Sequence, residues 1–176
     1  MKLSRMQDIA GCRVVVSNVN LARKLYKESY LNGDLKHERV NEKDYISYPK
    51  SDGYRSIHLV YKYKSNKEGK KDYNGLQIEV QIRSKLQHLW ATAIETVDLF
   101  TKQAIKSNEG EKEWKDFFRL VSSAFAIMEK TPLVPNTPTN LNELYFQIKE
   151  KEKELQVMKI MKGWTSAVRV FKAVAK

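Results

Sequence analysis

The segment Leu76-Gln77-Ile78-Glu79-Val80-Gln81-Ile82-Arg83 alternates apolar and polar residues without a break. Side chains in a strand point to opposite faces with a period of two. Leu76, Ile78, Val80 and Ile82 therefore share one face, and Gln77, Glu79, Gln81 and Arg83 share the other. A helix would scatter both sets around its axis, so this stretch folds only as a strand with one face in a core. Such a strand needs partners. Gly11–Val16 (GCRVVV) is a β-branched run that reads as a buried strand, and Leu35–Asn41 is a weaker one. Ser56–Tyr63 (SIHLVYKY) is β-rich, and the polar segment Ser65–Asn74 joins it to the alternating strand as a hairpin connection.

Helices fill the gaps and the C-terminal half. Asn20 is a candidate cap for a helix through LARKLYKESYL that stops near Gly33. Ser84 opens a long helix through LQHLWATAIETVDLFTKQAI. A further helix spans about Glu111–Glu129, with Trp114, Phe117, Phe118, Val121, Phe125 and Met128 at helical spacing. Pro132, Pro135 and Pro138 make Thr131–Asn140 a linker that breaks both neighbours. Asn140 caps a Glu- and Lys-rich helix, and a last short helix follows Gly163. This order predicts an α+β fold: a small mixed sheet with helices packed on it. The expected organisation is a core over residues 1–130, a proline-rich linker over 131–140 and a helical extension over 141–176.

Charge narrows the function. The net charge is +11, which favours an anionic partner. The segment Lys36–Lys71 holds ten Lys and Arg against five Asp and Glu. The single Cys12 excludes an internal disulfide and fits a reducing, cytoplasmic compartment. No apolar run is long enough to span a membrane. With only His37, His58 and His88, a multi-histidine metal site is not expected.

Two features carry chemistry. Asp8 lies just before the first strand, and Glu79 lies on the polar face of the fourth. If those strands are neighbours, the two carboxylates converge as a Mg²⁺-nucleotide site requires. The second feature is the loop from Lys43 to His58. It sets Lys43, Lys50 and Arg55 around the turn residues Pro49, Asp52 and Gly53, with Tyr54 and His58 at its strand end. Cations there can hold phosphates, and an aromatic ring can stack on a base.

Asp8-Ile9-Ala10-Gly11-Cys12-Arg13, then DYISYPKSDGYRSIH over Asp44–His58, then Glu79-Val80-Gln81-Ile82-Arg83 closely resemble the three ordered motifs of the RelA/SpoT synthetase domain family. The match runs from about Arg5 to Phe100. The resemblance implies a nucleotidyltransferase-like mixed sheet flanked by helices. It also implies Mg²⁺-dependent transfer of the ATP β,γ-pyrophosphate to a ribose 3′-hydroxyl of GDP or GTP. It assigns Asp8 to Mg²⁺, Glu79 to the metal and to activating the 3′-hydroxyl, Lys43 to ATP phosphates, and Tyr54 to stacking on the acceptor guanine. Lys50, His58 and Arg83 would line the acceptor and phosphate pocket. Asp52 stands where many members carry Asn. The family's upstream ATP-binding arginine and lysine have no counterpart before Asp8, so the ATP side is expected to be incomplete and the chain weakly active or inactive. In the helix after the third motif, Trp90 is expected in the core, and Glu95 either near the guanine site or solvated.

The expected partners are ATP and GDP or GTP, with self-association left open. Two alternatives accompany this reading. YRSIHLVYKY and the proline-linked C-terminal helices also resemble toxic small members, including fused toxin–antitoxin forms, that pyrophosphorylate the 3′-CCA end of tRNA. The other alternative is a catalytically silent fragment that binds a nucleotide or a protein partner.

Overall fold

A computed structural model describes residues 10–102, 104, 105, 110–163 and 165. The chain divides into two units, one of residues 1–49 and 55–88 and one of residues 50–54 and 89–176.

The first unit is a four-stranded mixed sheet with a helix on one face. Its strands are β1 (Ala10–Val16), β2 (Glu38–Asp44), β3 (Ile57–Lys62) and β4 (Gln77–Ser84), in the order β1-β4-β3-β2. β1 runs parallel to β4, and the other two pairings are antiparallel. The expected alternation holds in β4. Val80 and Ile82 are buried with Ile57, Leu59 and Tyr61 of β3 and with Ile46, and Ala22 of α1 (Val19–Leu25) closes this cluster.

Local details differ from the sequence expectation, each for a physical reason. The GCRVVV strand is mostly exposed rather than buried, because β1 takes an edge of the described sheet and has β4 as its one partner. The first helix is capped by Asn18, not Asn20. The Asn18 side chain accepts a hydrogen bond from the Leu21 amide, so the helix starts earlier. It then loosens into a π-helical turn over Tyr26–Leu31 before Gly33. The second strand lies at Glu38–Asp44 rather than Leu35–Asn41, so Lys43 belongs to a strand and not to the loop.

α2 (Lys85–Thr101) begins as expected at Ser84. Ser84 Oγ accepts from the Gln87 amide at 3.2 Å, and Gln87 Oε1 accepts from the Ser84 amide at 3.1 Å. This reciprocal pair satisfies two of the helix's otherwise open donors.

The second unit is built on α3 (Lys112–Glu129) and α4 (Leu141–Leu155) with the rest of α2. Its core joins Trp90, Ile94 and Val97 of α2 to Trp114, Phe117 and Phe118 of α3 and to Val157. Trp90 is core as expected, and its indole N–H donates to the Phe118 carbonyl at 2.8 Å. The proline-rich segment breaks both helices but is not a loose tether. Val134 is buried, its amide donates to Ser123 Oγ at 3.0 Å, and Arg119 donates to the Pro135 carbonyl at 2.8 Å. Asn140 caps α4 through the amides of Asn142 and Glu143. The helix expected after Gly163 lies outside the described residues, apart from Thr165.

Candidate active site

The polar face of the first unit's sheet is organised by register. Arg13 lies opposite Gln81, Gln81 opposite His58, and His58 opposite Lys43. Residues directly opposite each other share a face, so one polar row crosses all four strands. Glu79 stands one step along β4 on the same face, opposite Gly11 and Val60.

Glu79 is the centre of the contacts. His58 Nδ1 lies 2.6 Å from Glu79 Oε1, and Gln81 Nε2 donates to Glu79 Oε2 at 2.8 Å. With its amide nitrogen committed to Glu79, Gln81 turns its oxygen to two arginines. Arg83 Nη2 donates to it at 2.9 Å and Arg13 Nε at 3.3 Å. Both carboxylate oxygens are thus held, and two guanidiniums stand one residue behind them. Gly11, Cys12, Arg13, Glu79 and Gln81 line an open pocket of about 270 Å³. Gly11 lets the backbones come close here, since a Cβ on it would lie 3.2 Å from the Glu79 carbonyl oxygen.

The lip of this face is the turn after β2. Asp44 Oδ1 accepts from the amides of Ile46 and Ser47, both at 3.0 Å. Its other oxygen is ion-paired with Arg23 of α1, and Arg23 Nη2 also donates to Ser47 Oγ at 2.7 Å. Burial raises the Asp44 carboxyl pKa, but the hydrogen bonds from Arg23 and Ser47 and the Arg23 charge outweigh it and hold the group below its ordinary value. Inside this turn Tyr45 sets its ring edge-on to His58, with 5.4 Å between centroids.

The expected site residues divide as follows. Glu79, His58 and Arg83 come together through Gln81, and Lys43 stands opposite His58 in register. Arg55 is buried in the first unit. Lys50, Asp52 and Tyr54 belong to the second unit. There Asp52 Oδ1 accepts from the Tyr54 amide at 2.8 Å, a turn-shaping bond that an Asn oxygen makes equally well. Tyr54 packs against Trp90 with 6.4 Å between centroids, and Lys50 Nζ lies 5.3 Å from the Tyr54 ring centre. Glu95 is exposed. Asp8 lies outside the described residues.

Gln81, Arg13, Tyr45 and Arg23 were not singled out in the sequence. The first three sit inside the motifs, and the alternation already placed Gln81 on the face of Glu79. Arg23 has no local signal at all.

The family model described as "Region found in RelA / SpoT proteins" matches residues 1–103, which is more than half of the chain. The chain belongs to the RelA/SpoT family. Among curated relatives, it is 33% identical over 87 residues to the GTP pyrophosphokinase YwaC of Bacillus subtilis, covering 49% of this chain and 40% of that protein. It is 34% identical over 92 residues to the GTP pyrophosphokinase YjbM of the same organism, covering 52% and 41%. The chain therefore spans about two-fifths of the length of these relatives. Among solved structures, the small alarmone synthetase 2 of Bacillus subtilis superposes with a TM-score of 0.60 at 24% identity, over 72% of this chain and 64% of that one. The small alarmone synthetase 1 of Bacillus subtilis, bound to its product pppGpp, superposes with a TM-score of 0.58 at 25% identity, over 72% and 60%. These neighbours share the fold seen here.

Proposed function

We propose that the chain carries the pyrophosphotransfer site of a GTP pyrophosphokinase, moving the β,γ-pyrophosphate of ATP to the 3′-hydroxyl of GDP or GTP. The observation that carries this reading is one carboxylate, Glu79, held through both oxygens on a face otherwise lined by Lys43, His58, Arg13 and Arg83. Transfer of phosphoryl groups depends on positioning and on cations that absorb charge, and this face offers both.

In this reading Glu79 takes the proton of the 3′-hydroxyl. The freed oxygen bonds to the β-phosphorus of ATP, the bond from that phosphorus to the α,β-bridging oxygen breaks, and AMP leaves. His58 and Gln81 aim the carboxylate, while Lys43 and Arg83 receive phosphate charge. Arg55 and Lys50, cations of the loop between β2 and β3, are assigned to the same phosphates. Tyr54 is assigned to stacking on the guanine, with Asp52 shaping its turn.

Mg²⁺ fits this donor set. Among the described residues no three His, Cys, Asp or Glu side chains converge. A hard cation here would be held by one or two carboxylates and by the substrate's phosphates, the usual way Mg²⁺ meets a nucleotide. Glu79 would be one such ligand and Asp8, by the family resemblance, the other, and the ion would neutralise phosphate charge during transfer.

One observation favours a second acceptor, the 3′ end of an RNA such as tRNA. Lys62 lies opposite Gln77, two residues from Glu79 along β4, and Lys62, Lys64, Lys67, Lys70 and Lys71 are all exposed along the β3–β4 hairpin. Cations spaced this way suit a nucleic-acid backbone. Incubation with γ-labelled ATP and either GDP, GTP or deacylated tRNA, with Glu79→Gln as control, tests both. Label on GDP or GTP that disappears in Glu79→Gln supports the first acceptor, and label on tRNA supports the second. Transfer that survives Glu79→Gln in a folded protein overturns the assignment.

Among the described residues no helix is long and apolar enough to cross a membrane.

A further inference from the structure

The geometry points to Arg23, outside the three motifs, as a positioning residue that sets the Glu79 site by clamping the turn after β2. Its guanidinium holds both ends of a four-residue turn, Asp44 through an ion pair and Ser47 through a hydrogen bond of 2.7 Å. The free oxygen of Asp44 then accepts from the Ile46 and Ser47 amides, and the Tyr48 amide donates to the Asp44 carbonyl at 3.0 Å. The turn is thereby fixed from outside and from within.

Two functional side chains depend on it. Lys43 is the residue before Asp44, and its place opposite His58 follows from where β2 ends. Tyr45 is the second residue of the turn, tied by its amide to the Ser56 carbonyl at 2.9 Å, and its ring sits edge-on to His58. His58 in turn touches Glu79 Oε1. Each link from Arg23 to Asp44, Tyr45, His58 and Glu79 is a direct contact or a covalent neighbour, and all lie in one unit. Arginine suits the role because its planar fork spans two acceptors at once, whereas a lysine ammonium is a single point of charge.

The test compares wild type, Arg23→Met, Arg23→Lys and Ser47→Ala, and it has two readouts. The first is the NMR spectrum of the imidazoles, of which the chain has only three. Tyr45's ring current falls on His58, so Arg23→Met should shift the His58 ring signals and leave those of His37 and His88 in place. Arg23→Lys should shift them less. The second readout rests on the pyrophosphotransfer reading. In Arg23→Met, kcat should fall roughly ten- to a hundredfold, the scale of a small misplacement at a reacting centre, with a smaller loss in Arg23→Lys.

A folded Arg23→Met protein with unmoved His58 signals overturns the inference, even if its stability has dropped, because Arg23 would then only staple α1 to β2. If Arg23→Met does not fold, Ser47→Ala decides by the same His58 signals, since it removes one contact and leaves the ion pair. If wild type transfers nothing to any acceptor, the functional reading fails while the NMR comparison still decides the role of Arg23.

Discussion

Gly53 offers the sharpest quantitative test of the structure. Its φ is +95°, a backbone conformation that costs a residue with a side chain about 1–2 kcal/mol. The angle lies well beyond the left-handed minimum near +57°, so alanine should sit at the upper end of that cost. A Cβ on Gly53 would also lie 3.0 Å from Ser122 Cβ and 3.0 Å from Trp90 Cζ2, closer than the 3.5–4.0 Å of an ordinary carbon contact. Both neighbours are buried, and the Gly53 carbonyl accepts from Ser122 Oγ at 2.6 Å, so neither side yields easily. Overpacking of this kind costs about 1–3 kcal/mol. Gly53→Ala should therefore lose about 3–5 kcal/mol, a large part of the roughly 5–15 kcal/mol that holds a typical domain folded.

Gly75 separates the two contributions. Its φ is +87°, but nothing lies within 4 Å of the position its Cβ would take. Gly75→Ala should lose the conformational cost alone, about 1–2 kcal/mol. Urea unfolding followed by tryptophan fluorescence measures both variants. Equal losses, or a loss below about 1 kcal/mol for Gly53→Ala, would show that the Gly53 turn is not packed against Trp90 and Ser122 as described.

Other outcomes follow from single contacts. Ser84→Ala should cost about 0.5–2 kcal/mol in urea unfolding, because it removes the side-chain half of the reciprocal cap on α2. Tyr26 is pushed up to about 12 by burial and by the hydrogen bond it donates to Glu42. Its contribution to stability should be complete below pH 10 and fade as the pH climbs from 10 through 12, and Tyr26→Phe should flatten that part of the curve. Asp44, held below its ordinary value of 3.8, works in the other direction. Its contribution should be complete above pH 4 and fade as the pH falls further, and Asp44→Asn should remove that acid dependence. On the proposed function, Tyr54→Ala should weaken acceptor binding roughly ten- to a hundredfold, from a stacking energy of about 1–3 kcal/mol per base. ATP binding, measured by calorimetry, should stay unchanged, and an equal loss for both nucleotides would make Tyr54 a support of its loop.

Three of the four strands and the caps at Ser84 and Asn140 were legible because their signals are local. Alternation in Leu76–Arg83 needs nothing beyond the period of a strand. Ser84 and Asn140 satisfy helix donors two or three residues ahead of them. Three prolines end helices wherever they stand. The motifs made Glu79, His58, Lys43 and Arg83 visible as types of chemistry. What joins them was decided by tertiary structure. His58 meets Glu79 because β3 and β4 pair in one register, and a slip of one residue would send either side chain to the other face. The GCRVVV run looks buried by composition and is exposed by its place at the sheet edge. Arg23 reads as one more surface arginine on a helix until α1 packs on the sheet. Its partner Asp44 is 21 residues away, and no spacing in the sequence encodes a contact that only the packing of a helix on a sheet creates.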